Sequence, residues 1–326
     1  MAKVKMIERP SCPVCESLDS SVFFSGMIKE TRLRSPRRIL KCRSCSQLFV
    51  NPVPSVEEID DYHLQNKGIP ARDRQEAHKK IKKWNSSWRK FILREYLGYG
   101  RGPAVNPLKY LCGWFLSRFT RLELLPFQGE GKILDVGCNT GMYLYLLKNL
   151  GWQTWGIEID RNCCEAAGEL ALDVLCGRIE ESDFPPAFFD VVRFHNVLEH
   201  MPDPKQALKK AKQFLKKGGR IYISIPNTRS LAAYLSKENW LALGHIQGFF
   251  PRSIARLCRD VGFTVKTMRF NSSRDRVLQA IGHMLKLKKD SPFLKNKFVL
   301  CVFAPPLRFL LNITGLSDTF LLVLEK

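Results

Sequence analysis

Two sets of residues in this 326-residue chain have the types and spacing to do chemistry. The first is a pair of CxxC motifs, Cys12-Pro13-Val14-Cys15 and Cys42-Arg43-Ser44-Cys45, with 26 residues between them. Each CxxC places two thiolates on one small turn, and two such turns complete a tetrahedral Zn–S4 site. All four positions are Cys, which leaves no open ligand position, so the expected Zn2+ is structural. The second set lies in residues 132–160. Lys132-Ile133-Leu134-Asp135-Val136 reads as a short apolar strand running into Gly137-Cys138-Asn139-Thr140-Gly141, and MYLYLLKNLGW follows with helical spacing. Such a turn sets bare backbone and N–H groups against a ligand. The next strand, 152–160, carries Glu158 at its carboxyl end, 17 residues beyond Gly141, where an acid can accept both hydroxyls of a ribose. GCNTGM lacks the GxGxxG of a dinucleotide site, so the ligand expected is an adenosine nucleoside. Asn139 lies inside this loop, and Asn tolerates a positive φ better than most residues.

These residues need elements to hold them. SVFFSGMI and RRILKC alternate enough for short strands, as in a zinc ribbon, and Asn51-Pro52-Val53-Pro54 marks its exit. Residues 55–98 read as helical, with Ile81, Trp84, Trp88, Phe91, Ile92 and Tyr96 at helical spacing on a basic background, and Gly98, Gly100 and Gly102 end the run. Residues 107–125 form a second apolar and basic segment, an amphipathic helix suited to covering a core or resting on a membrane surface. Beyond the nucleoside loop come strand Phe189–Phe194, with His195 and Asn196 at its carboxyl end, a basic helix opened by Asp203-Pro204 and ended by Gly218-Gly219, and strand Arg220–Ile225. A helix, a glycine stop and a strand follow within 251–270, and TFLLVLE at 319–325 is a last, antiparallel strand. The alternation predicts an α/β fold, a doubly wound sheet covered on both faces.

The charge is unusual. Lys+Arg number 52 against 31 Asp+Glu, a net of +21, with +11 in residues 1–110, +5 in 111–270 and +5 in 271–326. Such a field draws polyanions: nucleic acid, anionic lipid or phosphorylated substrates. The N-terminus has no apolar signal region and no stretch reaches about 18 apolar residues, which predicts a cytoplasmic protein, with contact at a membrane face as the sharper alternative. Reduced thiols are expected there, with Cys138 and Cys176 as packed core thiols.

Together ILDVGCNTG, the GIE tip, FDVV, VLEHMPDP and the strand after LKKGGR resemble class I S-adenosylmethionine (SAM)-dependent methyltransferases over about residues 129–270. The resemblance is closest to the neighbourhood of ubiquinone-type O-methyltransferases and methyltransferases of sugar and polysaccharide clusters. Some members carry a four-cysteine knuckle followed by NPxPS, as Asn51–Ser55 here. The resemblance implies a Rossmann-like, seven-stranded, mostly parallel sheet with a small N-terminal zinc ribbon. It divides the chain into a ribbon at 1–54, a basic helical connector at 55–128, and a methyltransferase domain at 129–326 with a helical insertion at about 271–318. It implies SAM as cofactor, with Asp135, Gly137, Asn139 and Gly141 at its methionine end, Glu158 at the ribose, and Ile179, Glu180, His195 and Asn196 closing the site. Arg178 stands where many members have an Asp that meets the adenine amine.

Methyl transfer to a hydroxyl gains from a base, and imidazole titrates nearest neutrality. The candidates are His245, His195 and His200. His245 falls in 238–250, expected to be a loop, where Trp240, His245 and Phe249 or Phe250 resemble the family's acceptor pocket. Some ubiquinone-type members bind a divalent ion through two Glu and a His near Glu199-His200; Asn196 stands at the first Glu position, so a second metal is not expected. The acceptor expected is a small molecule, sugar or lipid-linked glycan, methylated at oxygen, with carbon as a variant. Two rival classes remain: an RNA methyltransferase gripping RNA by its basic flanks and ribbon, against which HNVL stands where an NPPY-type motif would be, and a SAM-binding scaffold that transfers nothing.

Overall fold

The structure, a computed structural model, describes residues 6–27, 36–55, 58–59, 87–99, 106–119, 124–235, 245–272, 277, 281–282, 291 and 304–326. Five short strands come first: β1 (Met6–Ile7), β2 (Ser20–Met27), β3 (Pro36–Cys42), β4 (Leu48–Val50) and β5 (Val53–Pro54). Helix α1 (Ser87–Phe91) continues as a π-helical turn over Ile92–Tyr96, and α2 (Pro107–Phe119) follows. Then come β6 (Lys132–Val136), α3 (Met142–Lys148), β7 (Gln153–Glu158), α4 (Arg161–Gly168), β8 (Asp173–Cys176) and β9 (Phe189–His195). The chain goes on through α5 (Pro204–Phe214), β10 (Leu215–Pro226), α6 (Leu231–Leu235), β11 (Gln247–Gly248), α7 (Pro251–Asp260), β12 (Thr264–Asn271), α8 (Ala304–Thr314) and β13 (Thr319–Glu325).

Seven strands form one sheet in the order β12-β13-β10-β9-β6-β7-β8. Strands β6, β7 and β8 run parallel, and β12 pairs with β13 antiparallel, as expected of the last strand. Central strands are mainly apolar: Ile133, Leu134, Val191, Val192, Phe194, Ile221, Ile223 and Ile225 are buried, the signature of a sheet covered on both faces. Two compact units share the chain. Residues 67–193 and 213–220 make one, and residues 1–66, 194–212 and 221–326 the other.

In the first unit, Asp190 ties the sheet to the turn before β6. Its Oδ2 accepts from Glu130 N and Lys132 N at 3.0 and 2.9 Å, and its Oδ1 from Lys216 Nζ at 2.9 Å. Tyr99 meets Trp152 edge to face, Phe127 packs tilted against both, and Tyr99 Oη donates to Leu125 O at 2.9 Å, so the chain is anchored at the end of this helical run. Of the helical run expected over 55–98, the described helical residues are 58–59 and 87–96, and Gly98, at φ 75°, follows the end of the run. Ile81, Trp84 and most of the 271–318 segment lie outside the described residues.

Two expectations are corrected. The basic helix stops at Phe214, not at Gly218-Gly219, which lie inside β10. Phe214 O accepts from Phe188 N at 2.8 Å, so the backbone is already bonded across to the 187–188 segment, not onward along a helix. Gly219 fits because a Cβ there would meet Lys216 O at 2.9 Å. Cys176 is exposed, not core: it ends β8, the outermost strand of the sheet.

In the second unit, β11-β4-β3-β2 form a small antiparallel sheet around Ile39, Leu48, Val50, Val53, Ile59 and Ile246. The 245–250 segment, expected as loop, therefore supplies a strand to the cysteine ribbon. Asp203 caps α5 by accepting from Gln206 N at 2.9 Å, as its position before Pro204 predicts.

Candidate functional site

The nucleoside loop is built by register. Val136 pairs with Ile157, so Glu158 is set beside Gly137, and Gly137 N and Cys138 N both donate to Ile157 O, at 2.8 and 3.1 Å. Gly137, Asn139 and Gly141 have φ of 72°, 54° and 73°. The glycines take a backbone that side chains resist, and Asn139 takes the left-handed turn its sequence position asked of it. At Gly141 a Cβ would also press on Leu172 and Ala167, so the loop lies flat on the helix behind it. Gly156 has a similar reason: a Cβ there would meet Cys138 Sγ at 2.6 Å. Cys138 is a buried core thiol, and burial pushes its pKa up.

Glu158 is 2% exposed. Its Oε2 accepts from Asn139 N at 2.8 Å, and its Oε1 from Ile159 N and Asp160 N at 3.0 and 3.1 Å. Three backbone donors therefore fix the carboxylate at the loop's mouth. Next to it Asp160 caps α4, accepting from Asn162 N and Cys163 N. Asp135 is fully buried and holds Arg193: one Nη1 lies 2.9 and 2.8 Å from its two oxygens, while the guanidinium stacks on Tyr143 at 3.9 Å. Burial pushes the Asp135 carboxyl up and Arg193 draws it back. Arg193 and Tyr143 were absent from the sequence reading. The signal was there: an arginine inside the apolar strand FDVVRFH needs a buried anion, and Asp135 is the anion of the neighbouring motif. Ile179 is buried and opens a 3-10 turn over Ile179–Glu181; Glu180 is half-buried there.

The second unit holds two further groups. Glu199, His200 and His245 offer ligand or proton-carrying atoms all within 4.8 Å of one another. The two imidazoles meet edge to face at 4.7 Å. The Glu199 carboxylate is buried without a hydrogen-bond partner among the described residues, and burial pushes its pKa up to about 8. Sequence brought His200 and His245 forward as separate candidates; the structure brings them together and adds Glu199. His195 ends β9, half-buried, and is not part of this group; Asn196 is exposed, with φ 54° and its N–H on Ser224 O. Trp240 lies outside the described residues.

The raised Glu199 carboxyl has a consequence for stability. A carboxyl whose folded pKa exceeds its unfolded value of 4.5 stabilises the fold below that value and loses the contribution as pH rises through about 8. Glu199→Gln is therefore expected to melt higher than the wild type at about pH 9, by up to about 5 kcal/mol less what a charged His200 or His245 returns, and equally at about pH 4.5. Melting curves across that range check it; a pH-independent offset would remove the titration from the account.

The other group is the four cysteines. Cys12 Sγ lies 3.6 Å from Cys45 Sγ and Cys15 Sγ 3.5 Å from Cys42 Sγ, with all four within 4.8 Å. Four sulfurs about 2.3 Å from one Zn2+ would stand about 3.8 Å apart, so the set fits the ion. A hydrogen bond from Cys45 draws the Cys12 thiol down to about 5, while Cys45 itself, through that same bond, and Cys42, through burial, are pushed up. Thiols this close need a cation before all can ionise.

Residues 112–267 match the family model described as "Methyltransferase domain". Over this stretch, a little under half of the chain, it is similar to methyltransferases. The chain is 35% identical over 128 residues to a ubiquinone biosynthesis O-methyltransferase of Idiomarina loihiensis, covering 37% of this chain and 51% of that protein. A protein of the same description from Leptothrix cholodnii is 28% identical over 182 residues, 51% of this chain and 74% of the relative. The chain thus spans about half the length of the first of these relatives. Among solved structures, a SAM-dependent methyltransferase from Archaeoglobus fulgidus aligns with a TM-score of 0.45 at 21% identity, covering 66% of this chain and 93% of the other.

Proposed function

We propose that the chain transfers a methyl group from SAM to an oxygen of a small-molecule, sugar or lipid-linked glycan acceptor. The observation that carries this is the Glu158 carboxylate, fixed by three backbone N–H groups beside the glycine loop. In this reading Asp135, Gly137, Asn139 and Gly141 form the methionine end, Glu158 receives the ribose hydroxyls, and Ile179, Glu180, His195 and Asn196 close the site. Bound SAM supplies a methyl sulfonium, already a good electrophile. The protein's work is alignment of the acceptor and removal of its proton. His245 or His200 takes that proton, which leaves an imidazolium beside the buried Glu199 carboxyl. The names of the relatives, O-methyltransferases, support oxygen as the acceptor atom. Cys12, Cys15, Cys42 and Cys45 hold one structural Zn2+, which makes residues 1–54 a zinc ribbon, followed by the connector (55–128) and the methyltransferase domain (129–326). The test is radiolabelled methyl transfer into a lysate of the source cell, fractionated into lipid, glycan, RNA and protein. Label in small molecules, glycan or lipid supports the reading. Label in RNA replaces it with RNA methylation, and cofactor binding with no transfer replaces it with a scaffold.

A cytoplasmic protein touching a membrane face fits one further observation. No helix of the described residues is long and apolar enough to cross a membrane. Yet α2 exposes Leu108, Tyr110, Leu111, Trp114 and Phe115, while its Gly113 lies against Tyr96. With Lys90, Arg94 and Lys109 nearby in the chain, this face suits an anionic lipid surface. Phe115→Asp is expected to lower partitioning onto anionic vesicles about tenfold or more, since burying one such ring contributes about 1.5–3 kcal/mol. Vesicle co-sedimentation reads it; equal partitioning of both proteins would withdraw the membrane contact.

A further inference from the structure

The cysteine ribbon and the Glu199–His200–His245 group belong to the same compact unit and are joined by a short chain of buried bonds. Gln47 is the hub. Its backbone carbonyl accepts from Cys42 N at 2.9 Å, closing the second cysteine knuckle. Its side chain, fully buried, faces the other way. Gln47 Nε2 donates to Gln247 Oε1 at 3.3 Å, and Gln47 Oε1 accepts from Ser253 Oγ at 2.7 Å. Gln247 Nε2 in turn donates to Met201 O at 3.4 Å. Gln247 lies two residues beyond His245, and Met201 is the neighbour of His200. Backbone bonds repeat the connection. β11 pairs with β4, Val50 N donates to Ile246 O at 3.0 Å, and Ile246 N donates to Glu199 O at 2.9 Å. From the N-terminal side Arg9 Nη2 donates to Pro202 O at 2.7 Å, and Arg9 N donates to Asn51 Oδ1 at 2.7 Å.

A ribbon that served only as an appendage would need none of this. Gln47, Gln247 and Ser253 are polar side chains with at most 2% exposure, each costly to bury unless bonded. Their bonds run from a knuckle to the two segments that carry the histidines. We propose that the ribbon is a positioning element for the Glu199–His200–His245 group, that Gln47 is its positioning residue, and that the metal state of the four cysteines is thereby felt at the two imidazoles. The catalytic meaning rests on the proposed role of those histidines. The physical coupling does not.

The experiment uses the full, zinc-loaded chain with 15N-labelled histidine. In Gln47→Ala the ring resonances of His200 and His245 are expected to move, and their titration midpoints to shift by about half a pH unit or more, a differential interaction well within one lost hydrogen-bond network. Binding of S-adenosylhomocysteine is expected to stay within about twofold, since Gln47 and the glycine loop share no partner. Unchanged resonances and midpoints would overturn the proposal. Ser253→Ala removes the same anchor from the other side and should act likewise. If either variant does not fold, hydrogen exchange on the native chain decides. Chelating the metal should release the Ile246 and Gln247 amides and spare the Gly137 and Cys138 amides; protection at Ile246 that survives metal loss would overturn the coupling. None of these readouts needs an acceptor. A chain that shows the coupling but transfers no methyl group loses the function proposed above and keeps the coupling. With an acceptor in hand, Gln47→Ala should lower kcat and leave the KM for SAM unchanged; an unchanged kcat would remove the positioning role.

Discussion

A Cys45→Ser variant is expected to purify with less than about half an equivalent of zinc and to lose the ordered ribbon. A structural Zn2+ site contributes an apparent 10–16 kcal/mol or so near neutral pH, because an unfolded chain offers no preformed site. Serine at this position removes one of four thiolates and leaves three sulfurs crowded without a full cage. The ribbon's sheet packs on a small apolar cluster around Ile39 and Val50, and a core that small seldom stands alone. Elemental analysis and the thermal melt of the freshly purified, chelator-free protein read the result. Wild-type zinc content in Cys45→Ser, or a metal-free wild type that melts as before, would end the case for a structural metal.

The second large effect is expected at the cofactor loop. Glu158→Ala should weaken S-adenosylhomocysteine binding by about 10²–10⁴, since two ribose hydroxyls on one carboxylate are worth about 1.5–3 kcal/mol each. The same change strips three backbone N–H groups of their acceptor: Asn139, Ile159 and Asp160. Glu158→Gln separates the two losses. It keeps an acceptor oxygen for the loop and removes the charge. Calorimetric titration distinguishes them; binding of Glu158→Ala within about threefold of the wild type would mean that the ribose is held elsewhere.

Much of this architecture could be read from the chain because the elements around residues 132–160 agree at every level. An apolar run, a glycine turn, an apolar helix and an acid-tipped strand permit little besides a parallel β-α-β unit. The cysteine pairs were legible for the same reason, since four soft ligands at knuckle spacing have one common use. What escaped was tertiary. Nothing in Gln47 or Ser253 announces that they meet across about 200 residues of sequence. Glu199 reads as part of a turn until the fold sets His245 beside it, and residues 245–250 lack the alternation of a strand because β11 is two residues long and is held by its neighbours. Arg193 passed as an ordinary strand residue, though an arginine inside an apolar strand calls for a buried anion. The end of α5 was misplaced because glycines are the usual stop signal, whereas here a backbone bond to Phe188 ends the helix four residues earlier.

Asn139 has a consequence of a different kind. A glycine at that place in the loop would roam the whole left and right of conformational space in the unfolded chain, and folding would have to gather all of it into φ 54°. Asparagine begins with fewer states to lose. Its own Oδ1 then accepts from Thr140 N at 2.7 Å, turning the side chain into part of the turn it occupies. The loop is thus stiffened by chain entropy, before any ligand arrives, and a molecule docking there would meet a mould already set.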